Sequence, residues 1–321
     1  MRTSLTPSLR RRAVLGGVAA LALALTACGG GDDAFSGSSG SSSSNAAGGK
    51  LVVGGPTFTE AAIMQNMYKL LLEKAGYTVE LKAVGERPIY TKSLEAGDID
   101  IVPDYLATTV DSLNGGKIVS SADATETLAK LNEIGKPLGI GGLEPSKALD
   151  SNAFYVTKKF AADNGNLTTL SQLAALNKPI KLGAPADCPQ NPYCLGDPGL
   201  VGIYGLKLDG APKKYDFGSV AMADAVLKGT VDMGETGTTD GTLDAKGLLL
   251  LQDDKMLQHA DYLVPVINLK DASDPKIATA LNALAPVLTT EDLTALNQKV
   301  DAQRQKPEDV AKEYLTSKSL L

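Results

Sequence analysis

From residue 50 onward, short apolar runs alternate with segments of helical period. In "KLVVGG" a β-branched run ends in glycines, and in the following "PTFTEAAIMQNMYKLLLEKAG" Ile63, Met67, Leu70 and Leu71 recur at helical spacing until Gly76, which predicts a strand and then a helix. Thr57 and Glu60 stand three residues apart ahead of that run, the spacing of a capping box with Thr57 as N-cap and Glu60 at N3. A helix start at the carboxyl end of a strand is also where open α/β sheets bind ligands. "YTVELKAVG" alternates like a second strand, "RPIYTKSLEAG" predicts a short helix, and "DIDIVPDY" a third strand ending at Pro103, Asp104 and Tyr105. The order βαβαβ favours a parallel sheet with helices on both faces. Further on, "NAFYVTKKFA", "KPIKLGAP", "AMADAVLKGTVDMGE" and "LVPVINL" predict more short strands between helices. From Asp274 to Leu321 the pattern is helical throughout, with Thr289 to Asp292 and Pro307-Glu308 as start signals.

Ahead of this body the pattern is different. Arg10, Arg11 and Arg12 precede an apolar run from Ala13 to Leu25, too short for a permanent membrane span, so residues 1–27 read as an export signal rather than an anchor. Leu25-Thr26-Ala27-Cys28 resembles a lipoprotein cleavage box that makes Cys28 the lipidated N-terminus; the arginines fit twin-arginine export or a basic Sec-type signal. Residues 28–49, almost all Gly, Ser, Ala and Asn after the cysteine, bury too little apolar surface to fold and form a tether, with an end-to-end distance of about 25 Å at roughly 5–6 Å × √n.

Composition narrows the chemistry. Residues 1–27 contain four arginines and no acid, so removing them moves the net charge from −6 to −10 and leaves an acidic body unsuited to nucleic acid. Three cysteines leave one unpaired in an oxidising compartment unless Cys28 carries lipid and Cys188 pairs with Cys194, making "CPQNPYC" a stapled loop. His259 is the single histidine, which excludes a multi-histidine zinc site and leaves one candidate for any Ser-His-Asp relay; its stretch "MLQHADY" reads as solvated surface. The acid pairs Asp98/Asp100 and Asp253/Asp254 flank predicted strands, where turn residues belong. No phosphate-loop spacing and no repeat of fixed period occur. The reading is of a protein that binds rather than catalyses.

The lipidation box, the tether and the segments "FTEAAIMQNMYKLLLEKAGYTVELK", "ERPIYTKSLEAGDIDIVPDY", "SNAFYVTKKFA", "VDMGETGTTDG" and "YLVPVI" together resemble the substrate-binding lipoproteins of osmoprotectant ABC importers, the family for glycine betaine, choline and carnitine. The resemblance runs in order from about residue 51 to about 315. It implies a type II periplasmic-binding-protein fold, two α/β lobes joined by two crossovers. Lobe 1 is then residues 50–146 plus 240–321 and lobe 2 residues 147–239, with crossings near 145–150 and 239–243. It further implies a monomer held at the cell membrane by its N-terminal lipid, an ABC permease as partner, and no cofactor or metal.

Such ligands pair a quaternary ammonium, which donates no hydrogen bond, with a carboxylate or hydroxyl, so a selective pocket needs ring faces at one end and donors at the other. Tyr105 matches the family's cage tyrosine after Pro-Asp/Glu, and Arg87 with Tyr90 matches the Arg-x-x-Tyr pattern of one subgroup; the plainer alternative is an arginine over Glu86 or Asp104 beside core tyrosines. Thr57 and Phe58 lie at the first helix start. Asn152 matches an asparagine entering the second lobe, Phe154 stands where the family has tyrosine, and Tyr155 is beside it. Thr239, Asp240 and Gly241 keep the Thr-Asp-Gly triplet, but Gly237 replaces the aromatic two residues before it, so one cage wall is missing. Tyr204 and Tyr215 are nearby without a match. Ligand between the lobes is expected to bring Arg87 and Tyr105 opposite Asn152, Phe154 or Tyr155. An amino acid or another polar solute in the same fold is the alternative, and a signalling or scaffolding lipoprotein a third.

Overall fold

A computed structural model of the protein describes residues 48–85 and 87–321; the export signal, Cys28, nearly all of the tether and Glu86 lie outside the described residues. The chain runs β1 (Lys50–Gly55), α1 (Thr59–Lys74), β2 (Thr78–Ala83), α2 (Arg87–Ala96), β3 (Ile101–Tyr105), α3 (Leu106–Leu113), α4 (Ala124–Gly135) and β4 (Ile140–Gly142). It continues through β5 (Asn152–Thr157), α5 (Lys158–Asp163), α6 (Leu170–Ala175), β6 (Gly183–Ala184), α7 (Gly199–Tyr204), β7 (Lys213–Lys214), α8 (Val220–Leu227), β8 (Gly234–Gly237) and β9 (Leu248–Leu251). It closes with β10 (Leu263–Asn268), α9 (Pro275–Asn282), α10 (Thr290–Asp301) and α11 (Pro307–Ser317).

The first sheet has the order β2-β1-β3-β10-β4; β1 is parallel to β2 and β3, and β10 runs antiparallel to β3 and β4. Strand alternation sends Ile101 into one core with α1, α10 and α11, and Val102 into another with α2, α3 and α4, so helices cover both faces. In the first core Ile63, Met64, Met67 and Leu72 of α1 meet Leu293, Val310 and Leu315, all buried. Each such side chain contributes about 1.5–3 kcal/mol by leaving water. The second sheet has the order β8-β5-β9, all antiparallel, with cores of its own on its two faces.

Two predicted strands shrink or change type. "KPIKLGAP" supplies only the two-residue β6, and the start of "AMADAVLKGTVDMGE" is the helix α8, because alanines favour helix and Ser219 Oγ caps it by accepting from Met222 N at 3.2 Å.

The chain crosses to the second sheet between β4 and β5 and returns between β9 and β10. The two links pair with each other: Leu149 bridges Tyr262 antiparallel, and Asp150 N donates to Asp261 O at 3.1 Å. The return therefore comes later than the expected crossing at 239–243, and assigning all of 240–321 to the first lobe is corrected here. Leu248–Leu251 forms β9 against β5, with Leu248 and Leu251 buried in the second sheet's cores.

Candidate ligand-binding site

The carboxyl ends of β1, β2 and β3 deliver three helix starts to one side of the first sheet, and the site is built there. Glu60, one residue into α1, is only 4% exposed. Its carboxylate accepts from Tyr105 Oη at 2.6 Å, Thr239 Oγ1 at 2.7 Å and Asn297 Nδ2 at 2.7 Å. Those donors come from β3, the turn after β8 and α10, so one buried acid ties three distant segments together. Burial, and after it the charge of Asp150, pushes the Glu60 carboxyl up to about 8, against the three hydrogen bonds. The capping box is thereby corrected. Phe58, not Thr57, is the N-cap of α1, no side chain caps it, and Glu60 turns inward because buried donors await it.

Asp104, at the end of β3, is the second anchor. Arg87 Nη2 donates to its Oδ1 at 2.7 Å, Tyr90 Oη to its Oδ2 at 2.9 Å, and Tyr105 N to its Oδ1 at 2.9 Å. The side chains of this ion pair are 26% and 3% exposed for Arg87 and Asp104, so Arg87 is committed to a protein acid and is not a free fork. Tyr90 is a buried core tyrosine whose hydroxyl serves the same acid.

The links add two more acids. Asp150 accepts from Thr238 Oγ1 at 3.1 Å and Thr239 N at 3.2 Å, and burial raises its carboxyl above the usual range. Asp261 accepts from Thr108 N at 3.0 Å, and burial pushes it up to about 7, with the charges of Asp104 and Asp150 adding to the effect and Arg87 opposing it. Arg87 thus acts on Asp104 and Asp261, while the charge that acts on Glu60 is that of Asp150. Tyr105 sits among them, its own hydroxyl raised by burial and then by Glu60, Asp150 and Asp104. Phe58, 47% exposed, stacks on it with ring centroids 6.4 Å apart and planes at 22°.

The second sheet contributes less than expected. Phe154 and Tyr155 are each about 1% exposed and point to opposite faces of β5, one into the core with α6 and α7, the other into the core with α8. Neither is brought against Arg87 or Tyr105; successive strand residues cannot share a face. Asn152 is half-buried, in register with Gly237. Asp240 holds its own turn, accepting from Thr242 N at 2.9 Å and Thr236 Oγ1 at 3.0 Å. At Gly237, where the cage wall is missing, a Cβ would lie 2.9 Å from Asp150 Oδ1, so the acid occupies the approach an aromatic side chain would need. Tyr204 and Tyr215 pack in or against the second sheet's cores, and the Sγ atoms of Cys188 and Cys194 lie at bonding distance with Cα atoms 5.1 Å apart.

Besides Asp150 and Asp261, two features escaped the sequence reading. Asn297 is 237 residues from Glu60, and no local pattern marks it. The other is a contact between Tyr193, in the cysteine loop, and the first sheet's helices: Tyr193 Oη donates to Asp111 Oδ2 at 2.6 Å and its ring meets His259 edge-on at 5.5 Å. His259 is therefore half-buried and bonded, not solvated: its Nδ1 lies 2.7 Å from Ser120 Oγ, which donates to Asp111 Oδ2 at 2.8 Å. The serine stands between imidazole and acid, the reverse of the order an acyl-transfer relay requires.

The profile of the family described as "Substrate binding domain of ABC-type glycine betaine transport system" matches residues 49–317. The chain belongs to this family. Its members are the extracytoplasmic binding components of ABC importers and not enzymes. The chain is 26% identical over 280 residues to a glycine-betaine-binding protein of Pseudomonas aeruginosa, covering 84% of this chain and 88% of that one. It is 24% identical to the glycine betaine-binding protein YehZ of Escherichia coli, covering 83% and 90%. Among solved structures, apo YehZ overlays with a TM-score of 0.68 at 23% identity, covering 85% of this chain and 99% of that one. A glycine betaine/carnitine/choline ABC transporter protein overlays at 0.70 with 23% identity, covering 84% and 98%. These overlays establish the fold, a type II binding protein of two α/β lobes joined by two crossovers.

Proposed function

We propose that the protein captures a quaternary-amine osmoprotectant of the glycine betaine or choline type at the helix starts of the first lobe and delivers it to an ABC permease. The observation that carries this reading is the buried cluster of acid side chains around Tyr105, Glu60, Asp104, Asp150 and Asp261, of which only Asp104 is salt-bridged among the described residues, to Arg87. Ionised, such a site attracts positive charge, and a cation bound beside it favours that ionisation. Glu60 and Asp104 already accept three and four hydrogen bonds respectively, so when ionised they offer negative potential with few free lone pairs. A trimethylammonium group needs charge and a ring face but no acceptor, and Tyr105 with Phe58 would supply the face. Thr57, Arg87 and Tyr90 would shape and hold this wall, while Asn152, Thr239 and Asp240 would serve from the second lobe and its turn. The lobes are taken as residues 50–146 with about 260–321, and about 147–255, swinging on the two links.

The same reading makes Cys28 the lipid attachment, residues 29–49 the tether, Cys188–Cys194 a disulfide, and the mature protein a monomer at the membrane. Calorimetric titration of the mature protein against glycine betaine, choline, carnitine and proline tests the ligand: micromolar binding of a quaternary amine supports it, and heat from proline alone removes it. An amino acid is the second reading, favoured by Asp150 standing at Gly237, where a carboxylate could accept from a primary ammonium.

A further inference from the structure

The loop between β6 and α7 carries Tyr193 across to the first lobe. Cys188 and Cys194 fasten this loop to its own lobe, both buried in the core that holds Phe154 and Tyr204. Between them Asn191 shapes the turn, its Oδ1 accepting from Tyr193 N at 3.0 Å and its backbone oxygen from Cys194 N at 2.9 Å. With Cys194 packed inward, the adjacent tyrosine reaches the other lobe: its Oη donates to Asp111 Oδ2 of α3 at 2.6 Å and lies 3.1 Å from Ser120 Oγ. Two residues of the return link complete the contact. Gln258 Nε2 donates to Tyr193 O at 2.7 Å, and His259 meets the ring edge-on.

The receptor for the phenol is held from its own side. Asp111 is buried and also accepts from Val119 N at 2.8 Å, Ser120 N at 2.9 Å and Ser120 Oγ at 2.8 Å, so three of its four bonds stay within the first lobe and only the fourth crosses. Parting the lobes here breaks that fourth bond, and a hydrogen bond to a charged group shifts such an equilibrium by about 10- to 100-fold. The arrangement it holds is the one in which Thr239, from the turn after β8, reaches Glu60 at the start of α1 at 2.7 Å. None of the hydrogen-bond partners of Tyr193 belongs to the acid cluster, so this is a second tie between the lobes and not part of the first.

We propose that Tyr193 is an interlobe latch: seated on Asp111, it holds the lobes joined before ligand arrives, so that less of the ligand's binding energy goes into bringing the two halves of the site together. Tyr193 is a positioning residue and acts on the ligand through the lobes. Its effect on affinity rests on the site proposed above, whereas its effect on the lobes does not.

Tyr193→Phe keeps the ring against His259 and removes the hydroxyl alone; Asp111 retains the three bonds from its own lobe, so the variant should fold. Spin labels at Ala129→Cys on α4 and Ala162→Cys on α5, both exposed positions, read the distance between the lobes by pulsed electron resonance in the mature protein carrying Cys28→Ser. Without added ligand the parent should give one dominant distance and Tyr193→Phe a distribution spread toward longer ones. Asp111→Asn should do the same, and adding it to Tyr193→Phe should change little more. Glycine betaine should bind Tyr193→Phe about 3- to 30-fold more weakly than the parent. Superimposable distance distributions in parent and Tyr193→Phe, full additivity of the two substitutions, or unweakened glycine betaine binding by Tyr193→Phe would each overturn the latch. Failure of glycine betaine to bind even the parent would overturn the ligand reading instead, and the distances would still decide the latch.

Discussion

Replacing Glu60 by glutamine separates the charge of the acid cluster from its shape. In the folded, ligand-free protein the Glu60 carboxyl is pushed up to about 8 from an ordinary 4.5, chiefly by burial. A carboxyl whose folded value is raised holds a proton that the unfolded chain gives up, so it costs stability as pH rises between those two values. Between pH 4 and pH 7 that cost comes to about 3 kcal/mol for this one group. The same shift governs binding. If the cation requires ionised Glu60, only about a tenth of the protein is competent at pH 7 and about a hundredth at pH 6, so apparent affinity should tighten up to about 50-fold from pH 6 to pH 8. Neither choline nor glycine betaine titrates in that range. Calorimetry in two buffers of different ionisation enthalpy should register close to one proton released per ligand at pH 7. In Glu60→Gln most of that release and pH slope should vanish, leaving the smaller part due to Asp150 and Asp261, which burial also raises. A dissociation constant flat from pH 6 to pH 8 in the parent protein, with no proton exchanged, would refute the argument.

Tyr105→Ala removes the ring face and the hydroxyl that supports Glu60, and should weaken a confirmed quaternary ligand by about tenfold or more, read by titration. Arg87→Ala leaves Asp104 buried with only neutral donors; the expected loss is about 3 kcal/mol, or about 5 °C in melting temperature for a body of this size, partly restored by adding Asp104→Asn. Cys188→Ser with Cys194→Ser should cost about 2 kcal/mol in chemical denaturation, the closure entropy of so short a loop, and reductant should reproduce it in the parent protein.

Periodicity carried much of the fold because the first lobe's strands and helices are locally consistent: α1, α2 and β3 lie where their apolar patterns place them. It failed at α8, where an alanine-rich segment with a serine cap resembles a strand only through its valines, and at the return link, where a Thr-Asp-Gly turn imitates a crossing but is followed by β9. The site was legible in part. Tyr105 and Arg87 stand out by type in a chain with few rings and few arginines. Their partners do not, because Glu60 passes for a helix cap, Asn297 sits in an ordinary helical repeat, and Asp150 and Asp261 look like solvated loop acids until the links pair and bury them. Phe154 and Tyr155 were misjudged for a simpler reason: adjacency in sequence means opposite faces in a strand.

A matched set of three ligands reaches the central question most directly: choline, its neutral carbon isostere 3,3-dimethylbutan-1-ol, and ethanolamine, titrated calorimetrically into the mature protein at pH 8. A surplus of carboxylates whose acceptor positions are largely filled should bind choline at least tenfold tighter than either of the others. Equal binding of the isostere would show that no charge is read, and tighter binding of ethanolamine would show that the acids serve as hydrogen-bond acceptors for a primary amine.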